Sequence, residues 1–252
     1  MRVIALVNQK GGTGKTTSTI NIGTGLAALK KRVLLIDLDP QANLTYSLGI
    51  EAHLLDQTIY ELLKGEASPR DLIIEKYGVD LIPSSLNLSG AEIELSGVAG
   101  RELLLKEALR DLKGYDYILI DCPPSLGLLT LNGLTTAKEI FIPLQAEFLS
   151  LQGMSKLLHT IEIIKKRLNS GLEVTGIIGT LYDNRRRHNR EVIEKIREHF
   201  KEKLFTTLIR DNIALAEAPS FGQDIFTYNK RSHGSQDYLK LCKEIIRREE
   251  KR

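Results

Sequence analysis

Cysteine is scarce in this chain: Cys122 and Cys242 are the only two in 252 residues, far apart and in no metal-type spacing. No disulfide framework or cysteine metal site is indicated, and the pair reads as buried or incidental thiols of a reducing cytosol. No apolar run approaches the roughly 20 residues that a membrane-spanning helix needs. No signal peptide is expected, because Met1-Arg2 leads straight into an apolar strand. No Pro-, Ser- or Gly-rich linker, repeat or low-complexity run divides the sequence. Residues 1–252 therefore read as one domain, with 249–252 as a frayed, charged tail. The net charge is only +3, so the placement of charge says more than its excess.

What is present is a glycine-rich loop, Lys10-Gly11-Gly12-Thr13-Gly14-Lys15-Thr16-Thr17. It follows an apolar stretch, Val3 to Val7, and precedes a helical pattern from Thr17 to Leu29. Strand, loop and helix in that order are the context of a phosphate-binding P-loop. The glycines let successive N–H groups turn toward an anion, and the helix N-terminus adds partial positive charge. Lys15 is expected to bridge the β- and γ-phosphates, and the Thr16 hydroxyl to hold Mg²⁺. The usual pattern is G-x-x-x-x-G-K-[ST], and Gln9 stands where its first glycine belongs. A second lysine, Lys10, opens the loop and can reach a phosphate in trans if two subunits face each other.

Apolar runs at 2–7, 33–38, 117–121, 139–143 and 174–179 read as buried strands, and 79–82 adds another. Helical patterns fall near 15–30, 57–64, 100–112, 151–168, 189–201 and 235–249. The alternation predicts an α/β fold: one doubly wound, mostly parallel sheet with helices on both faces. Ligands of such sheets sit at the carboxyl ends of the strands, where the P-loop, Asp37, Asp39 and Asp121 all lie. Asp121 ends a strand and precedes Cys-Pro-Pro-Ser, the position of a carboxylate that orders the Mg²⁺ shell through water. Asp37 and Asp39 flank Leu38, so on an extended segment their side chains point the same way. A pair of solvated turn carboxylates before Pro40 is the other reading.

The loop KGGTGKTT, VLLIDLDPQAN at 33–43, YILIDCPPS at 117–125 and EAPSFG at 217–222 together resemble the ParA/Soj partition ATPases of the deviant Walker A group. MinD and the nitrogenase iron protein belong to the same superfamily. The resemblance runs from about residue 2 to about residue 248. It implies a slow, partner-stimulated ATPase with ATP and Mg²⁺ as ligands, whose ATP-bound sandwich homodimer is the signalling state. It implies that Asp39 positions or polarises the attacking water, with Gln41 nearby, and that Asp37 supports the P-loop and metal shell. Lys10 would then supply trans charge in the manner of an arginine finger, and Gly11 would matter because a side chain there collides with the facing loop.

The family reads adenine near Leu181-Tyr182-Asp183 and the 209–213 stretch, where Asn212 is the best candidate. The common pattern I-P-R-N-V is departed from: Arg210 replaces the proline and Asp211 a frequently basic position. Arg185, Arg186, Arg187 and Arg190 form the densest basic run and coincide with the family's nonspecific DNA-binding segment. Lys230, Arg231, Lys243, Arg247 and Arg248 extend that patch through the C-terminal helix. A solvated helix with Glu191, Glu194 and Glu198 as ion-pair partners is the alternative. The resemblance implies double-stranded DNA and a ParB-like protein as partners, and a cytoplasmic, nucleoid-associated protein that partitions chromosome or plasmid DNA. The short N-terminus points to the small, Soj-like form without a separate DNA-binding domain. A MinD-like membrane-associated ATPase, or one that positions another cargo, is the alternative. The former needs an exposed amphipathic C-terminal helix, and the iron–sulfur relatives need a cysteine pair this chain does not offer.

Overall fold

The computed structural model describes residues 1–250 and, outside 148–152, their side chains. The strands are β1 (Arg2–Leu6), β2 (Val33–Asp37), β3 (Ile74–Lys76), β4 (Val79–Ile82), β5 (Tyr117–Asp121), β6 (Glu139–Gln145) and β7 (Glu173–Thr180). They form one sheet in the order β3-β4-β2-β5-β1-β6-β7, parallel throughout except for β3 against β4. The helices are α1 (Lys15–Ala28), α2 (Asn43–Ser47), α3 (Ile59–Lys64), α4 (Ala91–Glu94), α5 (Leu104–Ala108) and α6 (Leu128–Thr136), followed by α7 (Phe148–Arg167), α8 (Arg187–Phe200), α9 (Ile213–Glu217), α10 (Ile225–Tyr228) and α11 (His233–Glu249).

The continuous apolar runs follow from burial on both faces. Successive strand residues alternate between two cores. Val3, Ala5, Leu34, Ile36, Ile118 and Ile120 share one core with Leu62 of α3, Leu105 of α5, Leu134 of α6, Leu157 of α7 and Ile193 of α8. Ile4, Leu6, Leu35, Leu119 and Phe141 share the other with Ile22 and Leu26 of α1 and Tyr238 and Leu241 of α11. The chain fills the sheet on one side of β1 and then crosses to β6 on the other, so the end of β1 is the topological switch point.

The six expected strands all form. β3 escapes a sequence reading because it is three residues long. It turns into β4 through Tyr77-Gly78, both at positive φ (50° and 76°), a tight hairpin in which tyrosine stands where asparagine is usual. The helix expected over 100–112 is broken into a 3₁₀ turn at Arg101–Leu103 and the short α5. Asn132 is the reason: its Oδ1 accepts from the Leu105 N–H at 3.0 Å and its Nδ2 donates to the Arg101 carbonyl at 2.8 Å. Glu249, expected in a frayed tail, is instead the last residue of α11. Its carboxylate accepts from the Tyr117 hydroxyl and lies 3.7 Å from the Arg2 guanidinium. Residues 251–252 of that tail lie outside the described residues.

One close approach is testable. A Cβ at Gly176 on β7 would meet the Phe141 ring at 2.7 Å and would clash with the Phe205 ring as well. Those rings already pack edge to face with centroids 5.2 Å apart. Gly176→Ala is expected to destabilise the fold by about 1–3 kcal/mol through overpacking. A thermal melt should show a drop of several degrees, and an unchanged midpoint would mean that the ring pair gives way freely.

Candidate active site

The glycine-rich loop bridges β1 and α1, with Gly12 at φ 70° and Gly14 at φ 81°. Side chains rarely adopt that conformation, and it turns amide N–H groups into a concave anion cradle. The ends of β6 and β7 pin the cradle. Asn8 Nδ2 donates to the Pro143 carbonyl at 2.7 Å, Gln145 Nε2 to the Gly12 carbonyl at 2.8 Å, and Thr180 Oγ1 to the Thr13 carbonyl at 2.9 Å. Lys10 is held within its own protomer: its Nζ donates to Gln145 Oε1 at 2.8 Å and to Glu147 at 2.7 Å. Gly11 is exposed, and a Cβ there meets nothing within 4 Å in its own chain.

Lys15 is buried, with 8% of its surface exposed. Burial pulls its ammonium below the ordinary lysine value, opposed by the charges of Asp121 and Asp39. Asp121 receives two hydroxyl donors from α1, Thr16 Oγ1 to Oδ2 at 2.6 Å and Thr19 Oγ1 to Oδ1 at 3.2 Å. Burial raises the Asp121 carboxyl to about 6, although Thr16 and Lys15 pull the other way. Thr19 was not read from the sequence, yet its place one turn after Thr16 on the same helix face is a local signal.

Asp37 and Asp39 are held differently, on either side of a Leu38 that packs in the core of Leu34 and Ile36. β2 ends at Asp37, and the chain turns so that Ala42 N–H reaches the Asp39 carbonyl at 2.9 Å. Asp37 is fully buried and accepts from Thr45 N–H at 2.9 Å, Thr45 Oγ1 at 2.7 Å and Asp39 N–H at 3.2 Å. Burial, reinforced by the Asp121 charge, lifts it to about 7. What Asp37 does here is build the turn that carries Asp39. Asp39 is held twice more, by Gln41 N–H on its Oδ1 at 2.9 Å and by Ser84 Oγ on its carbonyl at 2.8 Å.

A second wall follows from β7. Past Thr180, Tyr182 pairs with the 209–211 segment: Tyr182 N–H donates to the Ile209 carbonyl at 3.0 Å, and Asp211 N–H to the Tyr182 carbonyl at 3.1 Å. That pairing carries Asn212 to the side of the loop that Thr180 touches. Asn212 immediately precedes α9, and its Oδ1 is buried with no hydrogen-bond partner among the described residues. Buried acceptors are almost always paired, so this atom fits a donor from a bound molecule. Among the described residues no three or more Cys, His, Asp or Glu side chains gather as a metal cage. The oxygen donors Thr16 and Asp121 therefore suit a hard cation that takes its remaining ligands from phosphates and water.

The basic residues divide into two groups. Arg185 and Arg187 are 87% and 85% exposed and pair with Asp183 and Glu191. Arg186 also faces Asp183, at 3.5 Å, and Arg190 donates to the Asn184 carbonyl. Asn189 ties this loop to the end of β6, donating to the Ala146 carbonyl at 2.7 Å while accepting from Asp183 N–H at 3.0 Å. The arginine run thus lies beside the strand that pins the glycine loop. Lys230 and Arg231 are exposed just before α11, at the strand-end side of the sheet. Lys243 and Arg247 are exposed near the other end of α11, whose 17 residues span about 25 Å. There α11 meets the strand starts, through Arg2 on the Ile245 carbonyl and Tyr117 on Glu249. Arg248 is drawn inward onto Glu244 and the Leu204 carbonyl. Within one protomer the basic residues expected as a single patch through the C-terminal helix lie near opposite ends of the strands, because α11 runs along one face from the strand ends back to the strand starts.

Comparison with known proteins places this geometry. Residues 1–174 match the family model described as an AAA domain. The chromosome partitioning protein ParA of Caulobacter vibrioides is 46% identical over 257 residues, covering 100% of this chain and 96% of that protein. The chromosome-partitioning ATPase Soj of Treponema pallidum is 44% identical over 254 residues, covering 100% and 99%. Among solved structures, cobyrinic acid a,c-diamide synthase from Mycobacterium smegmatis, with bound ADP and magnesium, superposes with a TM-score of 0.86 at 37% identity, over 98% of this chain and 94% of that one.

Proposed function

Because the chain belongs to the ParA/Soj family of chromosome-partitioning ATPases, we propose that it hydrolyses Mg-ATP at the glycine-rich loop, dimerises on ATP, and in that state binds DNA without sequence preference. The cycle would drive segregation of chromosome or plasmid DNA with a ParB-like stimulating partner. The observation that carries the reading is the buried Lys15 beside a Thr16 hydroxyl only 2.6 Å from Asp121. A phosphate cradle with its lysine and a metal-ordering carboxylate there converge from two separate stretches of sequence.

Each residue has a role that its surroundings support. The loop amides and Lys15 bind the phosphates. Thr16 and, through water, Asp121 would hold Mg²⁺, which neutralises charge on the phosphoryl oxygens. Asp39, fixed by three backbone-based hydrogen bonds, orients the attacking water. Asn212 Oδ1 accepts from the adenine amino group. Lys10 of a second copy adds charge at the γ-phosphate, and to do so it exchanges its contacts with Gln145 and Glu147. Both side chains of the Lys10–Glu147 pair are well exposed, 41% and 56%, so the exchange costs about 1 kcal/mol or less. The open space around Gly11 fits a loop faced by another subunit rather than by its own chain. A membrane role finds no support in α11, whose Leu241 and Ile245 are buried in the core with α1, and no described helix is long and apolar enough to cross a membrane.

DNA binding is tested through salt dependence. Arg185 and Arg187 sit in exposed ion pairs that phosphates can displace at little cost. Arg185→Ala with Arg187→Ala is expected to weaken binding of the ATP form equally on unrelated duplexes. The slope of log affinity against log salt should flatten by about 0.9 for every phosphate contact removed. Fluorescence anisotropy across salt concentrations measures this, and an unchanged slope would move the surface to Lys230 and Arg231 or to the far end of α11.

A further inference from the structure

An asparagine amide presents both an acceptor and a donor, so it discriminates between purines only when its frame is fixed. In this chain the frame has a specific fastening. Arg210, two residues before Asn212, reaches α11 and grips Asp237 with three hydrogen bonds: backbone N–H to Oδ2 at 3.1 Å, Nε to Oδ2 at 2.8 Å and an Nη to Oδ1 at 2.7 Å. The Asp237 side chain is only 6% exposed. It is itself anchored, because the next residue, Tyr238, hydrogen-bonds at 3.0 Å to Ser18 of α1, the helix that starts at the glycine loop. On its other side the segment is tied to β7, with Ile209 N–H on the Gly179 carbonyl at 2.8 Å and Asp211 N–H on that of Tyr182 at 3.1 Å.

We propose that Arg210 and Asp237 are positioning residues for base selection, holding the Asn212 acceptor in register with the phosphate cradle so that a 6-amino purine is accepted and a 6-oxo purine rejected. The inference rests on the reading of Asn212 as the base contact. A planar guanidinium meeting a buried carboxylate through two parallel hydrogen bonds fixes direction as well as distance. Its anchor, α11, packs on α1, so the base wall and the phosphate cradle form one rigid frame. An acceptor with no protein partner favours an amino group and repels a carbonyl oxygen. When the frame loosens, the amide reorients and serves either base.

The test measures the ratio of ATP to GTP affinity by calorimetry, together with affinity for inorganic triphosphate, in wild type, Asn212→Ala, Arg210→Ala and Asp237→Asn. Wild type should favour ATP, and Asn212→Ala should lower the ratio about tenfold, the scale of one well-placed hydrogen bond. Absence of either effect would overturn the reading of Asn212 itself. With both in place, Arg210→Ala and Asp237→Asn should each lower the ratio by a similar factor and leave triphosphate affinity unchanged. A preserved ratio in either variant, or a loss matched by equal loss of triphosphate binding, would overturn the positioning role. Asp237→Asn keeps the shape of the buried side chain, and circular dichroism identifies any variant that fails to fold. Should Asp237→Asn fail, Arg210→Ala decides alone, since its side chain is 39% exposed and its removal leaves no cavity in the core.

Discussion

Lys15→Ala is expected to weaken ATP binding by roughly 30-fold or more and to abolish ATP-dependent dimerisation with it. Removing one member of a buried, hydrogen-bonded charge pair costs about 2 kcal/mol at least, and each 1.4 kcal/mol is about tenfold in affinity. Lys15 is buried at the start of α1 in the field of Asp121 and Asp39, so the pair it would form with a bound triphosphate is of this kind. Alanine also leaves those two carboxylates without their nearest cation, so more negative charge faces an incoming triphosphate. Calorimetric titration with Mg-ATP reads the affinity, and size-exclusion chromatography the dimer. A variant that binds ATP as wild type does would overturn the assignment of the loop.

Asp39→Ala should separate binding from hydrolysis. Asp39 is the end of a chain of support: Thr45 holds Asp37, Asp37 accepts from the Asp39 amide, and the Ser84 hydroxyl donates to the Asp39 carbonyl. None of these contacts involves the glycine loop, so the cradle survives the substitution. Turnover should fall by about 10²–10⁴-fold, the range for loss of a positioned acid–base or water-orienting group, while ATP affinity changes little. ATP and Mg²⁺ should then hold a long-lived dimer visible by light scattering. A variant that remains monomeric with ATP, or that keeps its turnover, would remove Asp39 from this role.

The two predictions differ in how openly the sequence announces their residues. Lys15 and Thr16 are legible because everything that defines them is local: an apolar strand, two glycines at positive φ and a helix start within a few residues. Asp121 is legible as a carboxylate ending a buried strand, and Thr19 could have been found from helical spacing alone. Asp37 was not legible as a scaffold group. Its partner Thr45 lies eight residues on, past a turn whose left-handed residue is Ala42 rather than glycine or asparagine. The fastening of Asn212 was likewise hidden, since Arg210 and Asp237 are 27 residues apart and meet only because α11 runs back along the sheet.

From sequence alone came the class of the fold, the parallel strands and the phosphate loop, because local hydrophobic period and backbone freedom specify them. The family followed from the same local motifs. Tertiary structure decided which strand ends became neighbours, and so placed Gln145 and Thr180 against the loop. It also decided that Lys10 rests on its own Glu147 and that Lys230 and Arg231 lie at the opposite end of the strands from Lys243 and Arg247. Those outcomes depend on strand order and helix direction, which are set by how two cores are filled at once and not by any short stretch of the chain.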